Sequence, residues 1–233
     1  MMVSKRRTLW VTVSLSSALF ILLAVTAFAQ KEMMSGQFLA GLFHPKVGAG
    51  AVYEVTDSKG QKSEMEMAVV GKEDIGGNTA YWMEIAFTGG ASSGSVMKYL
   101  VAPQGDSVHV YRLIMKSAQM GVMEMPEMMM SRMNEGMKEF TADEKHMGKN
   151  LGTEVIMTKL GPKSCTHWQK AFEWGLSDMW VNMDVYPNAL VRSITKMKDG
   201  TRTTELIRMT SDVKTRITEP PQRMPHPGMP PGR

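Results

Sequence analysis

The chain has 233 residues, 21% of them charged and 43% hydrophobic, which is ordinary for a globular protein and too apolar for wholesale disorder. Its single Cys, Cys165, excludes a disulfide framework within one chain and any Cys-rich zinc or iron–sulfur site. The formal charge of +4 owes three Lys and Arg, and no Asp or Glu, to the first 29 positions; the rest carries 24 basic and 23 acidic residues, so no basic nucleic-acid face remains.

Lys5, Arg6 and Arg7 precede an apolar run, Leu9 to Phe28, that ends in Ala27-Phe28-Ala29. Positive, apolar, small-x-small is the layout of a secretory signal. The expectation is cleavage after Ala29 and a periplasmic or secreted protein. With no Cys after that site, the mature end is expected not to be lipidated. An uncleaved anchor is the alternative, because the run is nearly long enough to span a bilayer. Over residues 30–48, Met33, Met34, Phe38, Leu39, Leu42 and Phe43 have a loose helical spacing. Gly36, Gly41 and Pro45 weaken it to a possible short helix.

From Ala49 the period is two. Ala51, Tyr53 and Val55 alternate with Val52, Glu54 and Thr56, and Asp57-Ser58-Lys59-Gly60 is a hairpin turn. Met65, Met67 and Val69 alternate next, then Gly76-Gly77-Asn78 turns the chain. Tyr81, Met83, Ile85 and Phe87 share one face over 79–87, and a Gly/Ser loop at 88–95 leads to strands at Val96–Ala102 and Val108–Lys116.

Residues 120–147 interrupt the pattern. Met125, Met129, Met133 and Met137 recur every four residues, which stacks them on one helix face. Pro126 and Glu127 suit a first turn and Lys138 a last one, giving a helix at about 126–139. Strands resume at Thr153–Leu160, Ser164–Phe172, Asp178–Asp184, Ala189–Met197, Thr201–Met209 and Val213–Thr218. Residues 219–233 hold six Pro and read as an extended, flexible tail outside the 49–218 domain.

Several phrases carry a resemblance. They include Val47-Gly48-Ala49-Gly50-Ala51, Tyr81-Trp82-Met83-Glu84, Met97-Lys98-Tyr99-Leu100, Met123-Glu124-Met125-Pro126, Cys165-Thr166-His167-Trp168 and Met179-Trp180-Val181. Over roughly residues 47–210 the chain resembles an uncharacterised family of exported bacterial domains. That family is similar in layout to the outer-membrane lipoprotein carriers of the LolA type. The resemblance implies a mainly β, α+β fold: a large curved antiparallel sheet or half-barrel, with helix covering its concave face. Relatives of that shape hold acyl chains between sheet and helix. The strand count here is about eleven.

Met fills 25 positions against 7 Phe. Met is flexible and polarizable, so a Met-faced helix can repack around varied apolar ligands. The ligand-binding candidates are therefore Met125, Met129, Met130, Met133 and Met137, acting as a lid, with plain core packing the bland alternative. Thioethers also select Cu(I) or Ag(I). The tail run Met224-Pro225-His226-Pro227-Gly228-Met229 sets Met224, His226 and Met229 as a candidate metal trio. Gly90-Ala91-Ser92-Ser93-Gly94 matches a serine-hydrolase elbow only as letters, because a strand follows it rather than a helix. No HExxH, P-loop or dinucleotide fingerprint occurs. His109 and His167 read as satisfied strand residues, Cys165 as buried and inert, and Trp82, Trp168, Trp174 and Trp180 as core or rim anchors.

The expectation is a non-enzymatic envelope carrier or sensor of an apolar, lipid-like molecule, with no cofactor and no nucleic acid. A transient envelope protein partner is also possible. The alternatives are a Met-rich metal-binding protein and a structural or interaction protein without a small ligand.

Overall fold

The computed structural model describes residues 42–104, 107–137, 148–172 and 175–223. Readings that fall on the signal segment, on residues 30–41, on Trp174 and on the Met224–His226–Met229 trio lie outside them.

Alternation builds strands β1 (Gly50–Thr56), β2 (Lys62–Ile75), β3 (Asn78–Thr88), β4 (Val96–Gln104), β5 (Ser107–Ser117) and β6 (Gly121–Glu124) as a meander. After helix α1 (Glu127–Met137) come β7 (Lys149–Thr158), β8 (Gly161–Phe172), β9 (Gly175–Val181), β10 (Leu190–Met197), β11 (Gly200–Thr210) and β12 (Gln222–Arg223). The order across the sheet is β12-β6-β5-β4-β3-β2-β1-β11-β10-β9-β8-β7. Two meanders thus meet where β1 pairs β11, and the sheet is curved and unclosed. It is the mainly β, half-barrel layout that the sequence implied. The pairing is antiparallel except between β12 and β6.

Register sorts the side chains. Tyr53 aligns with Met65 and Leu206, Met67 with Ala51 and Ile85, Met83 with Tyr99, and Met97 with Met115. Tyr53, Met65, Met67, Met83, Ile85, Met97 and Tyr99 are all buried. Met65, Met67, Met83 and Met97 are therefore core on one apolar face, as their alternation predicts, whereas Met157 on β7 and Met209 on β11 are exposed.

That face is covered by the β9–β10 connection, Asn182 to Ala189, in which Val185 and Ala189 are fully buried. His44 N–H bonds Pro187 O at 3.0 Å and Asn182 N–H bonds Ala189 O at 2.8 Å. Buried Asn188 anchors the loop. The Tyr53 hydroxyl lies 3.0 Å from both Asn188 Oδ1 and Leu190 O, and Asn188 Nδ2 donates to Met67 Sδ at 3.5 Å. Burial pushes the Tyr53 hydroxyl far above the ordinary phenol range, so it stays a donor.

The opposite face is crossed by residues 211–221, which run as a strap and not as the strand expected at Val213–Thr218. Their alternation is real, but it serves to drop Ile217 into a cluster with Ala86, Val96 and Ile114. Thr215 and Arg216 N–H bond the carboxylate of Glu84, which is buried, and Lys98 Nζ sits 3.7 Å from it. Arg216 pairs with Glu66, and Lys116 with Glu219 at 2.9 Å. The strap then enters the sheet as β12 beside Met123 and Glu124. Two residues of the Pro-rich tail are thus sheet after all. Parallel pairing at an edge needs only the backbone groups of Gln222 and Arg223, and the prolines lie outside that pair.

Helix α1 packs against β5. Asn134 Nδ2 donates to Val110 O at 2.8 Å and its Oδ1 accepts from Val110 N–H at 2.9 Å. That clamp sets the rotation of the helix. Met130 is buried and Met125 half-buried, while Met129 is 41% exposed. The buried stripe is therefore turned by one residue from the Met125–Met129 face, towards Met130 and Asn134, which are also four apart. Met133 and Met137 lie in the last turns; their side chains are outside the described residues.

Two substitutions test this packing by denaturant unfolding. Asn188→Ala removes the loop anchor and is expected to cost about 1–3 kcal/mol, the usual penalty for stranded buried partners. Ile217→Ala empties the strap's apolar contact and is expected to cost about 2–4 kcal/mol.

Candidate functional site

The apolar face is not filled evenly. Across β2 to β4 its positions are large and apolar. On β7 and β8 the corresponding positions are Thr153, paired with Thr166, and Ser164, paired with Val155. Small hydroxyl side chains cannot fill the space that Met and Tyr fill elsewhere. Beside them lies a cavity of about 600 Å³.

The apolar wall of this groove is Leu42, Trp168 and Val181, which pack with Met179 and Ala189 in one cluster. Thr153, Ser164, Cys165 and Thr166 lie along it, and Asn150, Asn182, Met183 and Asp184 complete the lining. The loop is clipped to β8 by Asn182 Nδ2, which donates to Ser164 O at 2.8 Å, and Asn182 Oδ1 accepts from Asp184 N–H at 2.7 Å. Met183 is 53% exposed, so its side chain is free to reposition at the mouth. The lining includes one carboxylate, Asp184, and no Lys or Arg. Such a groove can bury an apolar chain and offer amide and hydroxyl groups to a polar end, but it does not attract an anion.

The predicted lid residues are not here: Met125, Met129 and Met130 sit by β5, on the other meander. The groove came from residues that the sequence ranked low. Trp168 read as a generic anchor, and Asn182 to Asp184 fell inside an expected strand. The signal was the hydroxyl residues Thr153, Ser164 and Thr166 at inward positions, where β2 to β4 carry Met, Ile, Val, Phe or Tyr.

Other candidates resolve structurally. His167 stacks on Trp180 at 4.4 Å, with Nε2 3.0 Å from Asp178 and Nδ1 3.0 Å from Glu154. Trp180 Nε1 also donates to Glu154 at 2.6 Å, so the group ties β7, β8 and β9 together. Among the described residues no three His, Cys, Asp or Glu side chains converge on a metal-sized point. Ser93 Oγ accepts from Gly89 N–H at 3.1 Å inside the β3–β4 hairpin loop, the role expected of that Gly/Ser run.

The chain is thus a curved, unclosed antiparallel sheet with one open groove over β7 and β8. No family model matches the chain, and no curated protein matches it. Solved structures do. A protein assigned as exported, with a YmcC-like fold, from Bacteroides fragilis is similar at 13% identity and a TM-score of 0.38, over 73% of this chain and 99% of that one. A domain assigned to outer-membrane lipoprotein sorting, from Vibrio parahaemolyticus, is similar at 9% identity and a TM-score of 0.30, over 72% and 86%. MucB in the MucA/MucB complex of Pseudomonas aeruginosa is similar at 8% identity and a TM-score of 0.38, over 72% of this chain and 52% of that one. The chain therefore spans about half of that last structure. At TM-scores of 0.30 to 0.38, nothing of what these neighbours do is carried over to this chain.

Cys165 gives a local test. It is 1% exposed, and burial pushes its thiol above the ordinary range. The folded state therefore favours the neutral thiol. Stability from that preference is present below the ordinary thiol pKa and is lost as pH rises through the range above it. Thiol labelling at pH 8 is expected to be slow in the folded protein and fast in denaturant. Equal rates would contradict the burial.

Proposed function

We propose that the chain is an exported, non-enzymatic binding protein for a small lipid-like molecule with an uncharged or cationic polar end. The observation that carries this reading is the groove beside Trp168. Its volume of about 600 Å³ lies within the span typical of small-ligand sites, roughly 300–1,000 Å³. Its wall of Leu42, Trp168 and Val181 offers apolar surface, at roughly 0.8 kcal/mol per buried CH₂ of a ligand chain. Its amide and hydroxyl lining suits a polar end. Asp184 at the loop disfavours phosphate or carboxylate there. Residues 1–29 support the envelope location, since their layout is that of an export signal.

The test is titration of the full chain with a fluorescent acyl amide and its free-acid counterpart, joined to native mass spectrometry for co-purifying acyl species. The amide is expected to bind more tightly than the acid. Trp168→Ala is expected to weaken it about tenfold, the loss of one aromatic contact. Trp180→Phe, on the opposite face, should leave it unchanged. Absence of co-purifying species together with no binding of either probe would overturn the reading.

A further inference from the structure

The sulfurs of the apolar face are in two different states. Met67 Sδ takes the Asn188 amide and Met97 Sδ the Tyr99 hydroxyl, and both residues are buried. Met115, Met123 and Met125 are only half-buried. No donor among the described residues is bonded to their sulfurs. The register brings these three together. Met115 on β5 aligns with Met123 on β6. Met125 N–H bonds Leu113 O at 2.9 Å, so the pairing runs one residue past β6 and sets Met125 opposite Leu113. Residues two apart in an extended run share a face, so Met123 and Met125 stand on the face of Met115 and Leu113.

Cross-strand neighbours stand about 4.5–5.5 Å apart at Cβ when directly opposite and about 7–8 Å when diagonal, still within reach of long side chains. Met123 is the direct neighbour of Met115, and Met125 is its diagonal neighbour. Each sulfur sits on an unbranched, flexible side chain, so the three can lean to one point above the strands. The chemistry of that point is selective. Thioethers are soft, uncharged donors, a set that suits Cu(I) and not Mg²⁺ or Ca²⁺. Glu124, between two of them in sequence, aligns with Ile114 on the opposite face, where Arg112 Nε holds it at 2.6 Å. No carboxylate is thus added from β6. A single positive charge is also the smallest that a half-buried, apolar place must desolvate. The turn joining β5 to β6, residues 118–120, is exposed and gives an ion a way in.

We propose that Met115, Met123 and Met125 form a three-thioether site for Cu(I). The β5–β6 pairing holds the three side chains side by side before any ion arrives, and their unbonded sulfurs supply the whole donor set. The site uses none of the residues of the groove beside Trp168, so it stands or falls apart from the lipid reading.

The test uses the full chain carrying Met224→Leu, His226→Leu and Met229→Leu, so that those three donors cannot compete. Ag(I), a redox-inert stand-in for Cu(I), is titrated by calorimetry while NMR of methyl-labelled methionine follows each thioether. One equivalent is expected to bind and to shift the methyl resonances of Met115, Met123 and Met125. Cu(I), added without oxygen, is expected to shift the same three, and Zn(II) none. Adding Met115→Leu, Met123→Leu and Met125→Leu nearly conserves volume and so keeps the fold. That variant is expected to lose the equivalent. The methyl shifts of the unmodified trio are read whether or not it folds. Absence of those shifts, or full binding by the folded Leu variant, overturns the proposal. Silver held at Cys165, or at the exposed Met120, Met128 and Met129, with the three resonances unmoved also overturns it.

Discussion

The contact between Tyr53 and Asn188 is the one on which the apolar face depends. Tyr53 stands on β1, the strand where the two meanders join, and its hydroxyl points across the face into the β9–β10 loop. A loop laid over buried methionines would strand its polar groups, at a cost of roughly 1–3 kcal/mol for each one left unpaired. Asn188 avoids that cost by meeting Tyr53, Leu190 N–H and the sulfur of Met67 at once. Pinned at the seam, the loop fills the space over β1 and its neighbours. The same pin leaves the space over β7 and β8 to the groove. Where the face is filled and where it stays open is thus one decision, made at Asn188.

The opposite face has a parallel solution in charge. Glu84 is a buried carboxylate, a group that folding tolerates only when it is paired and hydrogen-bonded. Lys98 comes from the neighbouring strand, but Thr215 and the Arg216 amide come from the strap. The strap is therefore required by the sheet's own sequence. Because it ends as β12 on β6, one segment covers the apolar patch around Ile217 and blunts an edge. An unclosed sheet needs such devices, because only closure removes edges outright.

Much of this was legible in the alternation, and the failures have a common cause. Period two located ten of the strands, their hairpin turns and the buried role of Met65, Met67, Met83 and Met97. It also made a strand of Val213 to Thr218, because a strap that drops one apolar residue between polar ones has the same local pattern. Nothing near Ile217 in sequence says that its neighbours are Ala86 and Ile114. The helix shows the same limit. Four methionines at a spacing of four define a stripe, but the amide of Asn134, bonded to Val110, fixes the helix on β5, and it is Met130 rather than Met129 that is buried there. The groove depended on a loop that closes over β8 and on hydroxyl residues that look unremarkable one at a time. Local periodicity reports which residues want burial. It does not report which element comes to bury them.

The same contacts give a reason for Met over Leu on this face. The sheet bends through register shifts at Val52/Tyr53, Val69/Gly71, Leu100/Val101, Asn150/Gly152 and Leu190/Arg192. A bulge kinks a strand and raises its twist, so the space inside becomes irregular. Unbranched Met fills irregular space with less strain than a branched side chain. Its sulfur adds a second property. The Tyr99 hydroxyl lies 3.2 Å from Met97 Sδ, and Asn188 Nδ2 lies 3.5 Å from Met67 Sδ. Leu in either place would present only methyl groups to a buried donor. A thioether is a weak acceptor, yet here it lets polar anchors sit inside an otherwise apolar layer. On that argument Met67 and Met97 need no metal to explain them, since each does what neither a branched aliphatic nor a polar side chain could do at the same position.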